Sequence, residues 1–141
     1  MSLRSLRSIV AEQPPATAEK TATVLDAALV MKERGKGALL VVDGTRCIGI
    51  FTERDALFRV VAAGRDPRTT PLADVMTPHP LTMHPDEPFL KALRTMHEHG
   101  FRHIPVVEHG RPLGIVSTRD ALDEDLYQLN VGMVEGGGER D

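Results

Sequence analysis

The 141-residue chain has one cysteine, Cys47, no tryptophan, one tyrosine and four phenylalanines. A lone thiol cannot close an internal disulfide, which excludes a disulfide-stapled scaffold and leads to the expectation of a reducing, cytoplasmic setting. No apolar run approaches the roughly 20 residues that a membrane-spanning helix requires, so no membrane partner is expected. The opening Met1-Ser2-Leu3-Arg4 lacks the long apolar core of a secretory signal. Cations are not massed either: 17 Lys+Arg stand against 20 Asp+Glu, a net charge of −3. Without a basic stripe, and with few rings to stack on bases, nucleic acid is disfavoured as a partner. The 41% of hydrophobic residues suffices for a packed interior and excludes wholesale disorder.

What the chain does have is an internal repeat. Shifted by 65 residues it falls on itself without a gap: VLDAALVMKERG (24–35) meets FLKALRTMHEHG (89–100), and VVDGTRCIGIFTERDAL (41–57) meets VVEHGRPLGIVSTRDAL (106–122). Fourteen positions within 24–57 are identical to their partners, where chance alone gives about two or three.

Each copy predicts the same elements. A short extended stretch comes first, at 16–18 and 81–83. A helix follows, at 22–34 and 87–99, with Leu25, Ala28 and Leu29, or Leu90, Leu93 and Met96, on its apolar face and glycine just past its end. Two strands joined by turn residues come next, at 38–42 and 48–51 and at 104–107 and 113–116. A second helix closes each copy, near 53–63 and 118–129. Pro71 suits the first turn of a short helix over 72–76 with Thr70 as its cap, and Leu3, Leu6 and Val10 share a face in a matching N-terminal helix. A unit of roughly 60 residues is marginal alone. The expected fold is therefore α+β, two β-α-β-β-α repeats packed around a pseudo-twofold axis into one module. The expected divisions are repeat one at 5–66, a connector at 67–71, repeat two at 72–130, and a flexible, glycine-rich tail at 131–141.

The most distinctive phrase occurs twice, as GIFTERDAL (49–57) and GIVSTRDAL (114–122). In each, a strand ends, Thr52 or Ser117 stands at the junction, and a helix begins. A helix cap explains this: the hydroxyl accepts from a backbone N–H, and an acid in the first turn complements the dipole. The same geometry suits a ribose phosphate. Free N–H groups and a hydroxyl face the anion, while Asp55 or Asp120 accepts from a 2′,3′-diol. The two readings are compatible.

With these two phrases, DVMTPHPLTMHPDEPF (74–89) and HGFRHIPVV (99–107), the chain resembles the tandem cystathionine-β-synthase-type (CBS) domain pairs, over about residues 5–130. The resemblance implies adenosine ligands (AMP, ADP, ATP, NAD or S-adenosylmethionine) in clefts between the repeats, with no cofactor required. It also implies a homodimer. It places ribose on Asp55 and Asp120, Thr52 and Ser117 near ribose and phosphate, and Arg102 and His103 at phosphate or base. The opening strand of the opposite repeat encloses the base, through Ala16 for the Asp120 cleft and Leu81 for the Asp55 cleft. The 65-residue shift sets Gly37 and Ala38 against Arg102 and His103. On that alignment both basic groups go to the Asp120 cleft, which is expected to bind a phosphorylated nucleotide more tightly.

Arg54 and Arg119 either face phosphate or pair with nearby acids. His97, His99 and His103 lack metal-ligand spacing, and no metal is expected. Cys47 reads as a small strand side chain, and Asp123-Glu124-Asp125 as a solvated helix face. No nucleophile–base–orienter set is evident. The function expected is a non-enzymatic nucleotide sensor acting on an unidentified regulated protein, and the alternative is a structural homodimerisation module with vestigial clefts.

Overall fold

The computed structural model describes residues 4–11 and 14–139, with side chains as far as residue 132. Helix α1 (Leu6–Val10) leads into strand β1 (Thr17–Glu19) and helix α2 (Val24–Arg34). Thr23 begins α2 with a capping box: its hydroxyl accepts from Asp26 N at 3.2 Å, and the Asp26 carboxylate accepts from Thr23 N at 3.3 Å. Gly35 ends α2 at φ +63°, a left-handed stop that glycine adopts without steric cost. Strands β2 (Ala38–Asp43) and β3 (Arg46–Thr52) follow, then α3 (Glu53–Asp55), which widens into π-helical turns over Ala56–Val61. Helix α4 (Leu72–Val75) and β4 (Thr77–Pro78) precede α5 (Phe89–His99), β5 (His103–Glu108) and β6 (Arg111–Ser117). A 3-10 turn (Thr118–Asp120) and α6 (Asp123–Glu139) complete the chain.

The first sheet has the order β1-β2-β3-β4, with β1 parallel to β2 and the other pairs antiparallel. The second comprises β5 and β6; the stretch at 81–83 adds a single parallel bridge, Met83 to Val106, rather than a full strand. Helices α2 and α5 begin two residues later than the sequence predicts, at Val24 and Phe89.

Each repeat has its own core, and the opening segments are exchanged between them. Leu6 and Val10 of α1 are buried with Phe89, Met96, Ile104 and Val116 of the second repeat. Leu72 and Val75 of α4 are buried with Val24, Leu39 and Phe51 of the first. The backbone repeats the exchange. Leu6 N and Arg7 N donate to Glu87 O and Pro85 O at 3.0 and 2.8 Å, while Leu72 N and Ala73 N donate to Ala22 O and Lys20 O at 2.8 and 3.0 Å. A third cluster, Ala38, Leu40 and Ile50 with Cys47 and Ile115, joins the two sheets.

Several local expectations are corrected. On α2 the inward face is Val24, Ala27 and Met31, whereas Leu25, Ala28 and Leu29 face solvent. Both faces are apolar, and the one carrying Ala27 (0% exposed) lets the helix approach the sheet closely. Thr70 does not cap α4. Its hydroxyl donates to Asp66 O at 2.7 Å, and Pro71 occupies the cap position. The second helix of repeat two breaks after Asp120, because the Asp125 carboxylate accepts from Leu122 N at 2.8 Å and starts a new helix. Asp125 also pairs with Arg4, so the acidic run is a helix start and not merely a solvated face. Helix α6 runs to Glu139, past the end near residue 129 that the sequence predicts for this helix; Leu3 and residues 140–141 lie outside the described residues.

Candidate functional site

The duplicated Thr/Ser-x-x-Asp phrase folds twice into a cap at a strand end. Thr52 Oγ1 accepts from Asp55 N at 3.3 Å, and Ser117 Oγ accepts from Arg119 N at 3.2 Å. In return Asp55 Oδ2 accepts from Thr52 N at 2.9 Å, and Asp120 Oδ2 from Ser117 N at 2.8 Å. Capping is therefore one job of these residues, and each cap also lines a cavity between the repeats.

The Asp120 cavity, about 270 Å³, is walled on its own side by Ile115, Ser117, Arg119 and Asp120. The facing wall comes from the first repeat: Pro14–Ala16 and the segment from Arg34 to Ala38. Arg34 Nη1 donates to Pro14 O at 3.0 Å and ties those two pieces together. Three cations (Arg34, Lys36, Arg119) and one carboxylate line this cavity, besides His103. Asp120 Oδ1 receives no hydrogen bond among the described residues.

The Asp55 cavity is larger, about 820 Å³, and more apolar, with Ile50, Leu57, Phe58, Pro80, Leu81 and Phe101 among its lining. Arg54, Arg59 and Arg102 supply cations, and Glu53 and Asp55 supply carboxylates. Here the acid is fully engaged. Asp55 is 6% exposed. Its Oδ2 accepts from Thr52 N and, at 3.1 Å, from Thr52 Oγ1. Its Oδ1 accepts from Thr77 Oγ1 at 3.2 Å and lies 3.5 Å from Arg59 Nε. Arg54 lies over the Phe58 ring, 5.7 Å from its centroid.

Ala16 and Leu81 thus stand in the cavities to which they were assigned, as do Thr52, Asp55, Ser117 and Asp120. Arg54 and Arg119 line the cavities of their own repeats, and Ala38 lines the Asp120 cavity. Arg102 does not: it lines the Asp55 cavity, and His103 lines both. The sheet explains the correction. Strand β1 runs parallel beside β2, so the residues before β2 lie at the same edge as Ala16 and cross with it to the other repeat. By the same rule, the residues before β5 accompany Leu81.

Sequence reasoning missed Lys36, Arg34 and Arg59, as well as Thr77. The 65-residue shift points to Lys36 once the crossing is recognised, since it aligns with Phe101 of the other cavity. Burial pushes the His103 imidazole below the ordinary histidine range, although Glu53 and Asp120 pull it upward against Arg102 and Arg119. Burial likewise pushes the Cys47 thiol up. His84, Asp86 and Glu108 also gather away from both cavities, and there Arg7 pairs with each carboxylate at 3.1 Å. No described helix is long and apolar enough to cross a membrane.

Comparison with known proteins agrees with this duplicated architecture. The CBS domain family model matches residues 6–62 and again 72–127. The CBS domain-containing protein YhcV of Bacillus subtilis is 33% identical over 117 residues, covering 83% of each chain. An uncharacterised protein of Methanopyrus kandleri is 32% identical over 120 residues, which are 84% of this chain but 61% of that one. The chain thus spans about three fifths of that relative's length. Among solved structures, a chain with CBS domains from Burkholderia ambifaria superposes with a TM-score of 0.76 at 34% identity, covering 83% of this chain and 90% of that one. A CBS domain protein from Pyrobaculum aerophilum, complexed with AMP, gives 0.80 at 25% identity, covering 91% and 99%. With both repeats matched separately and the fold shared, the chain belongs to the CBS domain family as a tandem pair.

Proposed function

We propose that the protein is a non-enzymatic regulatory module that binds an adenosine nucleotide in the Asp120 cleft and passes the bound state to a partner protein. The observation that carries this reading is the Oδ1 of Asp120, which receives no hydrogen bond among the described residues. It opens beside Ser117 in a cavity that Arg34, Lys36 and Arg119 make net positive. A carboxylate oxygen with nothing donating to it suits a ribose diol, and guanidinium and ammonium groups suit the phosphate. At about 270 Å³ the cavity lies just under the usual range of ligand pockets and favours a compact ligand. The Asp120 cleft is accordingly still the tighter site, although the reason is no longer Arg102.

The Asp55 cleft differs in kind. Its acid is saturated by Thr52, Thr77 and Arg59, so a diol would have to displace existing bonds. That saturation is the one observation favouring a vestigial role, and it applies to this cleft alone. Homodimerisation is part of the proposal: Leu29, Leu57, Phe58 and Val61 are all more than half exposed, as surfaces that pair often are. The signal would then be a shift in the arrangement of repeats or protomers that ligand selects.

Isothermal titration with AMP, ATP, NAD and S-adenosylmethionine tests the reading. One site dominates in the wild-type chain, and Asp120→Ala weakens it at least about tenfold, the loss of a charge-assisted hydrogen-bond pair. Binding unchanged by Asp120→Ala refutes the assignment, and no binding at millimolar concentration refutes the nucleotide reading.

A further inference from the structure

Among the described residues, His103 alone lines both cavities. It is the first residue of β5 and pairs in register with Ser117, whose hydroxyl belongs to the Asp120 cleft. Its neighbours in sequence, Phe101 and Arg102, belong to the Asp55 cleft. The equivalent position in the first repeat is Ala38, which pairs with Thr52 and reaches the Asp120 cleft only. The duplication is therefore asymmetric at the one described lining position that the two clefts share, and the side chain placed there can carry a proton.

We propose that His103 is a shared contact that links the two clefts: an anion bound in either one draws a proton onto the same ring, and that proton offsets the direct repulsion between two bound anions. This rests on the nucleotide reading of the previous section. The physical argument needs one imidazole and two cavities. A negative ligand in either cleft stabilises the protonated ring, and the protonated ring attracts a negative ligand in the other. Because the same proton serves both, the effect is reciprocal. The charged groups facing the ring are Glu53 from α3, Arg102 beside it on the chain, and Arg119 and Asp120 from the 3-10 turn. The two acids and two arginines leave no fixed charge dominant. Burial disfavours the charged ring, whereas an anion in either cleft favours it, so ligand binding draws a proton in.

The expected size is modest. One negative charge roughly 6 Å away at an effective dielectric constant of about 40 raises the His103 midpoint by roughly one pH unit. Two such shifts, met at a pH about one unit above the empty-cleft midpoint, favour the second binding event about threefold, which about offsets the direct repulsion of two single charges about 12 Å apart. Well above that pH the ring stays neutral and the linkage vanishes.

The test follows the His103 ring by NMR through a pH titration of the full chain, with and without AMP. The His103 signal is identified by its loss in His103→Gln. Two charge reversals confine the ligand: Lys36→Glu disables the Asp120 cleft, and Arg54→Glu disables the Asp55 cleft. Should either unfold the chain, Lys36→Gln and Arg54→Gln take their places. The proposal expects AMP to raise the His103 midpoint in both variants. It is overturned if AMP binds to both variants and moves the midpoint in only one. It is equally overturned if only one variant binds AMP: binding by Arg54→Glu alone leaves the nucleotide reading standing, whereas binding by Lys36→Glu alone moves the nucleotide to the Asp55 cleft and overturns that reading as well. If neither the variants nor the wild-type chain bind AMP, the nucleotide reading falls and the linkage falls with it.

Discussion

Replacing Leu6 with alanine tests the exchanged openings directly. Leu6 lies in α1, at the start of the first repeat in sequence, yet it is 0% exposed within the core of the second. The substitution removes three carbon atoms, worth about 2.4 kcal/mol in transfer alone. The cavity left among Phe89, Met96 and Ile104 brings the expected loss to about 3–5 kcal/mol. For a domain of this size that lowers Tm by roughly 10 °C. Thermal and urea melts read the total, and amide hydrogen exchange reads where it falls. Protection should drop first in α5, β5 and β6, sixty residues and more away in sequence, while α2, β2 and β3 follow only through global unfolding. Loss of protection confined to α2 and β2 would show that α1 packs on its own repeat and would refute the exchange.

Other expectations concern single side chains. Thr77→Val removes the donor to Asp55 Oδ1 and frees one lone pair. In an Asp120→Ala background it should increase residual AMP binding by titration calorimetry, and no gain would show that saturation is not what weakens the Asp55 cleft. Because burial pushes the Cys47 thiol up, the native chain should react slowly with iodoacetamide near neutral pH and speed up only as pH climbs past the ordinary thiol range. An alkylation rate at pH 7.5 equal to that of the urea-unfolded chain would contradict this.

How much could be read from sequence depended on distance along the chain. The repeat, the strand pairs β2–β3 and β5–β6 and the caps at Thr52 and Ser117 are local or duplicated patterns, and each stands where the sequence put it. The inward face of α2 was misread because Leu25 and Leu29 are more hydrophobic than Ala27, and the tight approach to the sheet selected the smaller residue. Arg102 was misplaced for a topological reason. Alignment of the repeats shows which residues correspond, whereas the parallel pairing of β1 with β2 determines which cleft they enter. The saturation of Asp55 was also out of reach, since Thr77 lies 22 residues beyond it and meets it only through the pairing of β4 with β3. The phrase Arg-Asp-Ala-Leu continues as a helix at 54–57 and breaks at 119–122, because Asp125, which stands where the first copy has apolar Val60, accepts from Leu122 N and starts a new helix.

The exchange of α1 and α4 also bears on how such a chain could arise. Half of it, severed at the connector, would carry a leading helix shaped for a groove on someone else. Two such halves would have to trade those helices to close their interiors, and would therefore exist only as an interlocked couple. Gene fusion then adds no new contact. It tethers the couple at high local concentration, so that assembly no longer depends on how much protein the cell makes.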